Sequence, residues 1–490
     1  MRRLNVVVFL LGLLVPGAAL AQFGREWTTS GNDAQRSNWV RTDAKIAPTT
    51  LQKAGFAHLW KMKFTNTARQ FNALTQAMIM DRLIGYKGFR ALVFLSGSSD
   101  QVIVADSDLA RPEWQVTLPG GSCATVGAGG HITGGGYGVM SRLYGLTVDY
   151  LSAVELVHVT KDGQTEVVTV SSDSSDPDEQ DLLWGHTGGG GGNFGIVTRF
   201  FFKELPPAPA EASTVFHTYD WSALDQAAFR RLMQNYGNFL AENSGVDSPF
   251  KGLFAGLAIP QVGGQIGLFG QYSGDQPELL DHYAQAVGAG LPAPSARIGT
   301  VRHHRMYAQS SDITTLPWLE ATKNISGGTP MRGKYKSAYM IEPFPDAQID
   351  VLWEFFVNPS NPNPQALLGI DGYGCQINAV DPAVTAVAQR SSIMKLQYQT
   401  YWTDPAQDDA NLEWIRSFYA AMYGEQGPMP DAVMDGCYVN YPDVDLVDWQ
   451  TLYYKENYPR LQQVKARWDP LNIFNYSQSI QLPGEGSATP

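Results

Sequence analysis

Residues 120–138 read GGSCATVGAGGHITGGGYG, and the fold turns on what so glycine-rich a run is for. Glycine loses more backbone freedom on ordering than any other residue, and neither a helix nor a strand gains from using it. Such a run makes sense where backbone must pass close to a large ligand and turn N–H groups toward its phosphates or ring oxygens. A set of glycine turns on the surface of a β-solenoid is the ligand-free alternative.

Downstream of this run, Val154–Val159 reads as a strand, Lys161–Gln164 as a tight turn and Glu166–Val170 as the returning strand. A second glycine cluster, Gly190–Gly195, fits GxGxxG. It is followed by Ile196–Phe202, whose β-branched and aromatic residues predict a strand where a dinucleotide-binding turn requires a helix. Gly328–Lys334 fits the first part of a phosphate loop, but Tyr335 stands where a magnesium-holding Ser or Thr is needed. No HExxH, GxSxG or protein-kinase set occurs, and no His/Cys cluster has zinc spacing, so no metal site is expected. Leu205–Pro209 reads as a stiff linker into a mixed α and β region. Helical spacing is expected within 220–243, with Ser222 as cap, and within 277–287, 346–356 and 410–423. Strands are expected within 331–341 and 366–380, and a last helix from about Trp449 to Trp468, stopped by Pro470.

Three stretches then carry a resemblance. The run 118–149, the run from Leu182 through Gly190–Thr198, and the run from Tyr453 through Asp469–Phe474 to Ile480 resemble, in order and spacing, motifs of the berberine-bridge-enzyme-like oxidases. That family lies within the vanillyl-alcohol-oxidase superfamily of FAD proteins. The resemblance covers about residues 118–483. It implies an α+β fold: a PCMH-type FAD-binding domain with an α/β substrate domain. The expected divisions are 118–206 for the second FAD lobe, 207–430 for the substrate domain and 431–490 for a carboxyl-terminal segment returning to the FAD site.

The same resemblance implies site residues. Cys123 matches the cysteine joined to the flavin ring by a thioether, and His131 a histidine near the ring. The backbone of Gly127, Gly130 and Gly134 would line the cofactor, Ile196 and Val197 would lie near its adenosine, and Asn457 is a further binding candidate. Cys437–Asp443, read CYVNYPD, looks like the family's tyrosine-bearing strand, with Asp371 on a strand facing it. Tyr441 is expected to be the base that takes the substrate hydroxyl proton, ahead of Tyr438. A free phenol titrates near pH 10, and a carboxylate neighbour raises that value, so cationic neighbours have to lower it. With 22 tyrosines in the chain, simple packing is the alternative for either. The implied activity is FAD-dependent oxidation of an alcohol group on a small molecule, a carbohydrate such as an oligosaccharide or a secondary metabolite, with oxygen or another electron acceptor.

The resemblance fails before Leu118. The family's first FAD lobe, with its Arg-Ser-Gly-Gly-His run, has no counterpart there, and His58 is the only upstream histidine. Instead, residues 22–117 are β-rich and similar to one blade of a quinoprotein-type β-propeller, with a hairpin expected from 91–95 and 101–105 around 96–100 and a further strand near Trp114. One blade cannot bury its own faces. A catalytically inactive exported fusion or truncated remnant is therefore the rival expectation.

The extreme amino terminus sets the compartment. Arg2 and Arg3 precede an apolar stretch, Val6–Val15, too short to span a bilayer, and Ala19-Leu20-Ala21 offers a cleavage site. This predicts a signal peptide over 1–21, a mature start near Gln22, and a secreted or periplasmic protein without a membrane span. The 490-residue chain carries a net charge of -12 and a pI near 5.1, which disfavours nucleic acid as a partner. Three cysteines, Cys123, Cys375 and Cys437, are too few for a disulfide framework.

Overall fold

The computed structural model describes residues 78–85, 88–96, 101–106, 111–117, 126–298, 300–302, 305–307, 313–325 and 331–484. The expected signal peptide, residues 22–77 and Cys123 lie outside this set. The described residues divide into two compact units, one ending at Val116 and the other beginning at Thr117.

The first unit is a four-stranded sheet in sequence order: β1 (Met78–Gly85), β2 (Gly88–Ser96), β3 (Gln101–Asp106) and β4 (Arg111–Thr117). The 91–105 hairpin is present, with Phe94 opposite Val104.

The second unit begins with a correction to the glycine run. Instead of continuous loop it contains a short helix, α1 (Ala128–Thr133), whose Thr133 hydroxyl donates back to the Gly130 carbonyl at 3.1 Å. A three-stranded sheet follows, ordered β6-β5-β7, from β5 (Leu151–Val159), β6 (Thr165–Ser171) and β7 (Ile196–Phe202). The β5–β6 turn and the strand after Gly195 are where the sequence places them. Helix α2 (Pro177–Gly185) is capped by Asp176, whose carboxylate accepts from the Asp178 N–H at 2.9 Å.

The substrate region is one eight-stranded sheet. Its strands are β8 (Glu211–Asp220), β9 (Leu253–Pro260), β10 (Gln265–Tyr272), β11 (Ala296–Ile298), β14 (Ile313–Pro317), β15 (Arg332–Met340), β16 (Leu367–Gly372) and β17 (Met394–Trp402). A small hairpin of β12 (Thr300–Arg302) and β13 (Arg305–Tyr307) intervenes in sequence. The order β11-β8-β10-β9-β16-β17-β15 has β14 also paired to β8. Its helices are α3 (Gln226–Glu242), α4 (Leu279–Gly288), α5 (Trp318–Ile325), α6 (Asp346–Val357) and α7 (Asp408–Tyr423). Helix α3 is capped by Asp225, not Ser222; a short helical turn over Trp221–Ala223 occupies the expected start.

Strand alternation divides the central sheet. Ala255, Leu257, Ile266, Leu268, Leu368, Leu396 and Tyr398 are buried in the main core beneath the helices, where the Tyr236 and Tyr283 hydroxyls donate to the Ile370 and Phe269 carbonyls. The alternate residues face away from those helices, toward the cavity described below.

The expected last helix is two, α8 (Trp449–Tyr454) and α9 (Tyr458–Trp468). Lys455 between them has φ of 50°, a left-handed conformation that cannot continue a helix, and Pro459 suits the first turn of a new one. The segment after the break closes on the second glycine cluster. Lys465 Nζ donates to the Asn193 carbonyl at 2.9 Å and pairs with Asp469 at 2.6 Å, while the Asn193 side chain accepts from the Ile480 N–H.

One buried titratable group makes this packing sensitive to acid. His186 is 3% exposed, with Nδ1 2.8 Å from the Leu182 carbonyl, and burial pushes its pKa down to about 4. An unfolded imidazole titrates near 6.5, so between about pH 6.5 and 4 the unfolded chain binds the extra proton. Stability from this residue is therefore full above that window and lost as pH falls through it. The urea midpoint is expected to drop over this range, and His186→Gln to flatten the drop; an unchanged slope in the variant would refute the assignment.

Candidate active site

A cavity of about 990 Å³ lies between the glycine-rich segments and the cavity-facing side of the central sheet. Gly127, Gly130, His131, Gly190 and Gly191 line it from the first side; Phe254, Gly256, Phe269, Asp371, Lys395 and Gln397 line it from the sheet, and Tyr438–Pro442 complete it. The sheet register explains the second group. Phe216, Phe269, Gly256, Asp371 and Lys395 are successive cross-strand partners from β8 to β17, so all five present to one face.

At the β17 end of that row a polar cluster forms. Lys395, whose side chain is 1% exposed, has Nζ 3.1 Å from the Asp371 carboxylate and donates to the Tyr441 hydroxyl at 3.1 Å. The same ammonium lies 4.7 Å from the Tyr441 ring centroid, 4.8 Å from Tyr137 and 5.5 Å from Tyr438, where ring faces favour a cation. Burial alone would neutralise this lysine, but Tyr441 and Asp371 outweigh it and hold it charged above its ordinary pKa. In return, burial lifts Tyr441 up to about 12, with Asp371 adding to the rise and Lys395 opposing it.

Tyr438 differs from its neighbour. Its hydroxyl accepts from Asn440 Nδ2 at 2.8 Å, its ring meets Tyr441 edge-on at 5.0 Å, and burial raises its pKa while Lys395 lowers it. Asn440 also donates to the His131 carbonyl at 3.0 Å. Gly134 makes that approach possible: a Cβ there would stand 2.1 Å from Asn440 Oδ1. His131 itself is kept neutral near and above pH 5, since burial and the Lys395 charge push its pKa down to about 4.

The glycine side offers bare backbone. A Cβ placed on Gly127 or Gly130 would meet nothing within 4 Å, so both open onto the cavity. The volume exceeds what a single small alcohol needs and leaves room for a planar ring beside it. These residues fit the ring portion of a flavin.

The structure gathers Gly127, Gly130, His131, Asp371, Tyr438 and Tyr441 around one cavity, with Gly134 adjoining through Asn440. Ile196, Val197 and Asn457 lie elsewhere. Ile196 is 61% exposed on β7, and neither it nor Val197 lines the cavity. Asn457 binds the Pro382 and Thr385 carbonyls at 2.9 and 3.3 Å and ties the carboxyl-terminal helices to that loop. Cys375 and Cys437 are buried free thiols. Motif reading passes over Lys395. Its signal was available, since Lys395 and Gln397 occupy alternate positions of a strand whose other residues, Leu396 and Tyr398, are core.

Comparisons with known proteins identify the family. The family described as berberine and berberine like matches residues 437–481, the segment holding Tyr438 and Tyr441. An aclacinomycin-N/aclacinomycin-A oxidase of Streptomyces galilaeus is 41% identical over 401 residues, covering 76% of this chain and 70% of that protein. A hexose oxidase of Chondrus crispus is 38% identical over 408 residues, covering 74% of each. Among solved structures, a glycopeptide hexose oxidase complexed with teicoplanin matches with a TM-score of 0.68 at 39% identity, over 75% of this chain and 76% of that one. The described helices include none long and apolar enough to cross a membrane.

Proposed function

The chain belongs to the berberine and berberine-like family of FAD-linked oxidoreductases, and from that footing we propose that it oxidises an alcohol on a carbohydrate or secondary metabolite, with Tyr441 as base. FAD is its cofactor, and the inactive remnant is not favoured by relatives at this identity that are oxidases. The observation that carries the assignment is the contact of a buried ammonium, Lys395, with the hydroxyl of Tyr441 inside the cavity.

A flavin held against the backbone of Gly127 and Gly130 would supply the two-electron acceptor that oxidation of the alcohol requires. The protein supplies the rest. Lys395 favours the Tyr441 phenolate, which takes the hydroxyl proton as the carbon–oxygen bond becomes a carbonyl. Asp371 holds the lysine in place, and Asn440 fixes Tyr438 against His131. The apolar sheet face excludes water, which strengthens each of these charge contacts.

Two further parts of the proposal rest on residues outside the described set: a thioether from Cys123 to the flavin, and export with cleavage near Gln22. One preparation tests all of it. Protein recovered from medium or periplasm at the mass of a chain starting near Gln22 should be yellow, and the colour should stay with the pellet on acid precipitation. Colour released to the supernatant would sink the thioether, recovery only inside cells would sink export, and folded protein without flavin would sink the proposed function.

A further inference from the structure

Tyr441 stands on one face of the central sheet and its anchor on the other. Strand β15 ends the strand order, and its side chains alternate between the two faces. Ser337 and Tyr339 are on the cavity side. Tyr339 is opposite Lys395 in the β17 pairing, with its ring 6.0 Å from that of Tyr438, and Ser337 Oγ accepts from the Tyr438 N–H at 3.0 Å. Lys334 and Lys336 are on the helix side, with Ala338 and Met340 of the main core. Lys336 is opposite Tyr398, and its ammonium lies 4.8 Å from the ring centroid of Tyr419 on α7. The segment after Cys437 therefore crosses the sheet edge: Tyr438–Pro442 line the cavity, and Asp443 meets the two lysines behind it.

Asp443 fastens this strap. Its carboxylate, 1% exposed, accepts from Lys334 at 2.5 Å and from Lys336 at 2.7 Å, one ammonium on each oxygen. Both lysines also reach Asp445, at 3.1 and 3.0 Å, and Arg416 of α7 pairs with Asp445 at 3.0 Å. The Asp443 backbone is held as well. Its N–H donates to the Tyr453 hydroxyl at 3.0 Å, and its carbonyl accepts from Gln478 at 2.8 Å.

An ion cluster this deep is a poor source of stability, because desolvation of the charges offsets most of their attraction. Apolar side chains would cover the strand edge equally well. What two charge-assisted bonds on one carboxylate add is a fixed direction. Asp443 lies two residues from Tyr441, and Pro442 between them has its φ fixed by its ring. The neighbouring charges that shift the Tyr441 phenol are Lys395 and Asp371, so Asp443 bears on it through the chain.

Resting on the assignment of Tyr441 as base, we propose that Asp443 is its positioning residue. The Lys334–Asp443–Lys336 clamp fixes where the strap turns over β15 and so keeps the Tyr441 hydroxyl against Lys395 and the substrate hydroxyl. Without the clamp the phenol shifts while the glycine wall and the sheet face stay in place. A displacement of about 1 Å is enough to slow a reaction by about 10²-fold.

The test uses flavin-loaded full-length protein and the double variant Asp443→Asn/Lys336→Met, which removes one charge of each sign. 3-Fluorotyrosine is incorporated, and the ¹⁹F signal absent from Tyr441→Phe is that of Tyr441. In the clamp variant this signal should move or split, while those of Tyr236 and Tyr283, assigned in the same way, stay in place. Anaerobic flavin reduction is followed with whichever of glucose, cellobiose and benzyl alcohol reduces the native protein fastest. Its rate should fall at least about tenfold, with KM changed by less than about twofold. In the Tyr441→Phe background the same clamp change should cost less than about twofold, because its effect runs through the missing hydroxyl. An unmoved Tyr441 signal, or the same loss of rate in both backgrounds, would overturn the proposal. Should the double variant not fold, Lys334→Met, at a side chain 13% exposed, loosens the clamp but keeps the Lys336 pair and is judged by the same signal and the same cycle. The base assignment fails separately. If Tyr441→Phe reduces its flavin as fast as the native protein, Tyr441 is not the base, and the ¹⁹F signal alone then decides whether Asp443 holds it.

Discussion

Tyr441→Phe is expected to lower kcat by about 10²–10⁴-fold, the range a positioned general base contributes, with flavin content and thermal unfolding little changed. The substitution removes one oxygen from a ring that otherwise keeps its place against Tyr438. What is lost is the only phenol oxygen that the Lys395 ammonium contacts by a hydrogen bond among the described residues. Because the proton transfer belongs to the transition state, kcat and kcat/KM should fall together. Tyr438→Phe is the comparison. Its hydroxyl accepts from Asn440, so its loss should disturb the Asn440–His131 contact and cost much less in rate. Stopped-flow reduction of the flavin under anaerobic conditions measures the step directly. Equal losses in the two variants, or a larger loss for Tyr438→Phe, would move the base to Tyr438.

Lys395→Met should produce the second large effect, seen best in the pH profile. Burial and Asp371 raise the Tyr441 pKa and Lys395 opposes them, so removing the cation removes the neighbouring charge that holds the value down. A nearby opposite charge moves a pKa by about 1–3 units. The base works as phenolate, so a higher pKa means less active base at neutral pH: about 10–10³-fold less, with activity recovering as pH rises. The ascending limb of kcat/KM, along which activity rises with pH, should therefore move to higher pH. Lys395→Arg keeps a cation and should recover part of the loss. A purely structural lysine would give lower protein yield or stability without displacing the profile, and a profile superimposable on the native one would refute the electrostatic role. Asp371, at 30% exposed, can rehydrate when its partner is lost, so the variant should still fold.

The segments that could be read in the chain are those whose local chemistry is self-sufficient. The β5–β6 hairpin announces itself by a polar turn between two β-rich runs, and β7 by a β-branched, aromatic run after glycine. Local signals were misleading where competing preferences were close. The helix expected across Trp449–Trp468 breaks at Lys455, where Pro459 starts a new first turn. In the run 128–133, glycine's poor helix preference is offset by Thr133 bonding back to the Gly129 and Gly130 carbonyls and by the burial of Ile132 and Thr133.

The sequence by itself determined the family, the flavin-linked chemistry, and the two segments, 127–134 and 437–443, that supply much of the cavity wall. These are continuous stretches in which backbone freedom or residue type is the message, and that message does not depend on what lies opposite. Tertiary structure alone brought Lys395 into contact with Asp371 and Tyr441 and lined up the row of side chains across the sheet. Lys395 meets Asp371 because β16 and β17 pair in one register, and Phe216 joins the same row through β9 and β10. A shift of one residue in any of these pairings would turn the side chains of that strand to the opposite face. That register is fixed by burying Leu257, Leu268, Leu368 and Leu396 beneath the helices, so the hydrophobic core on one side of the sheet positions the chemistry on the other.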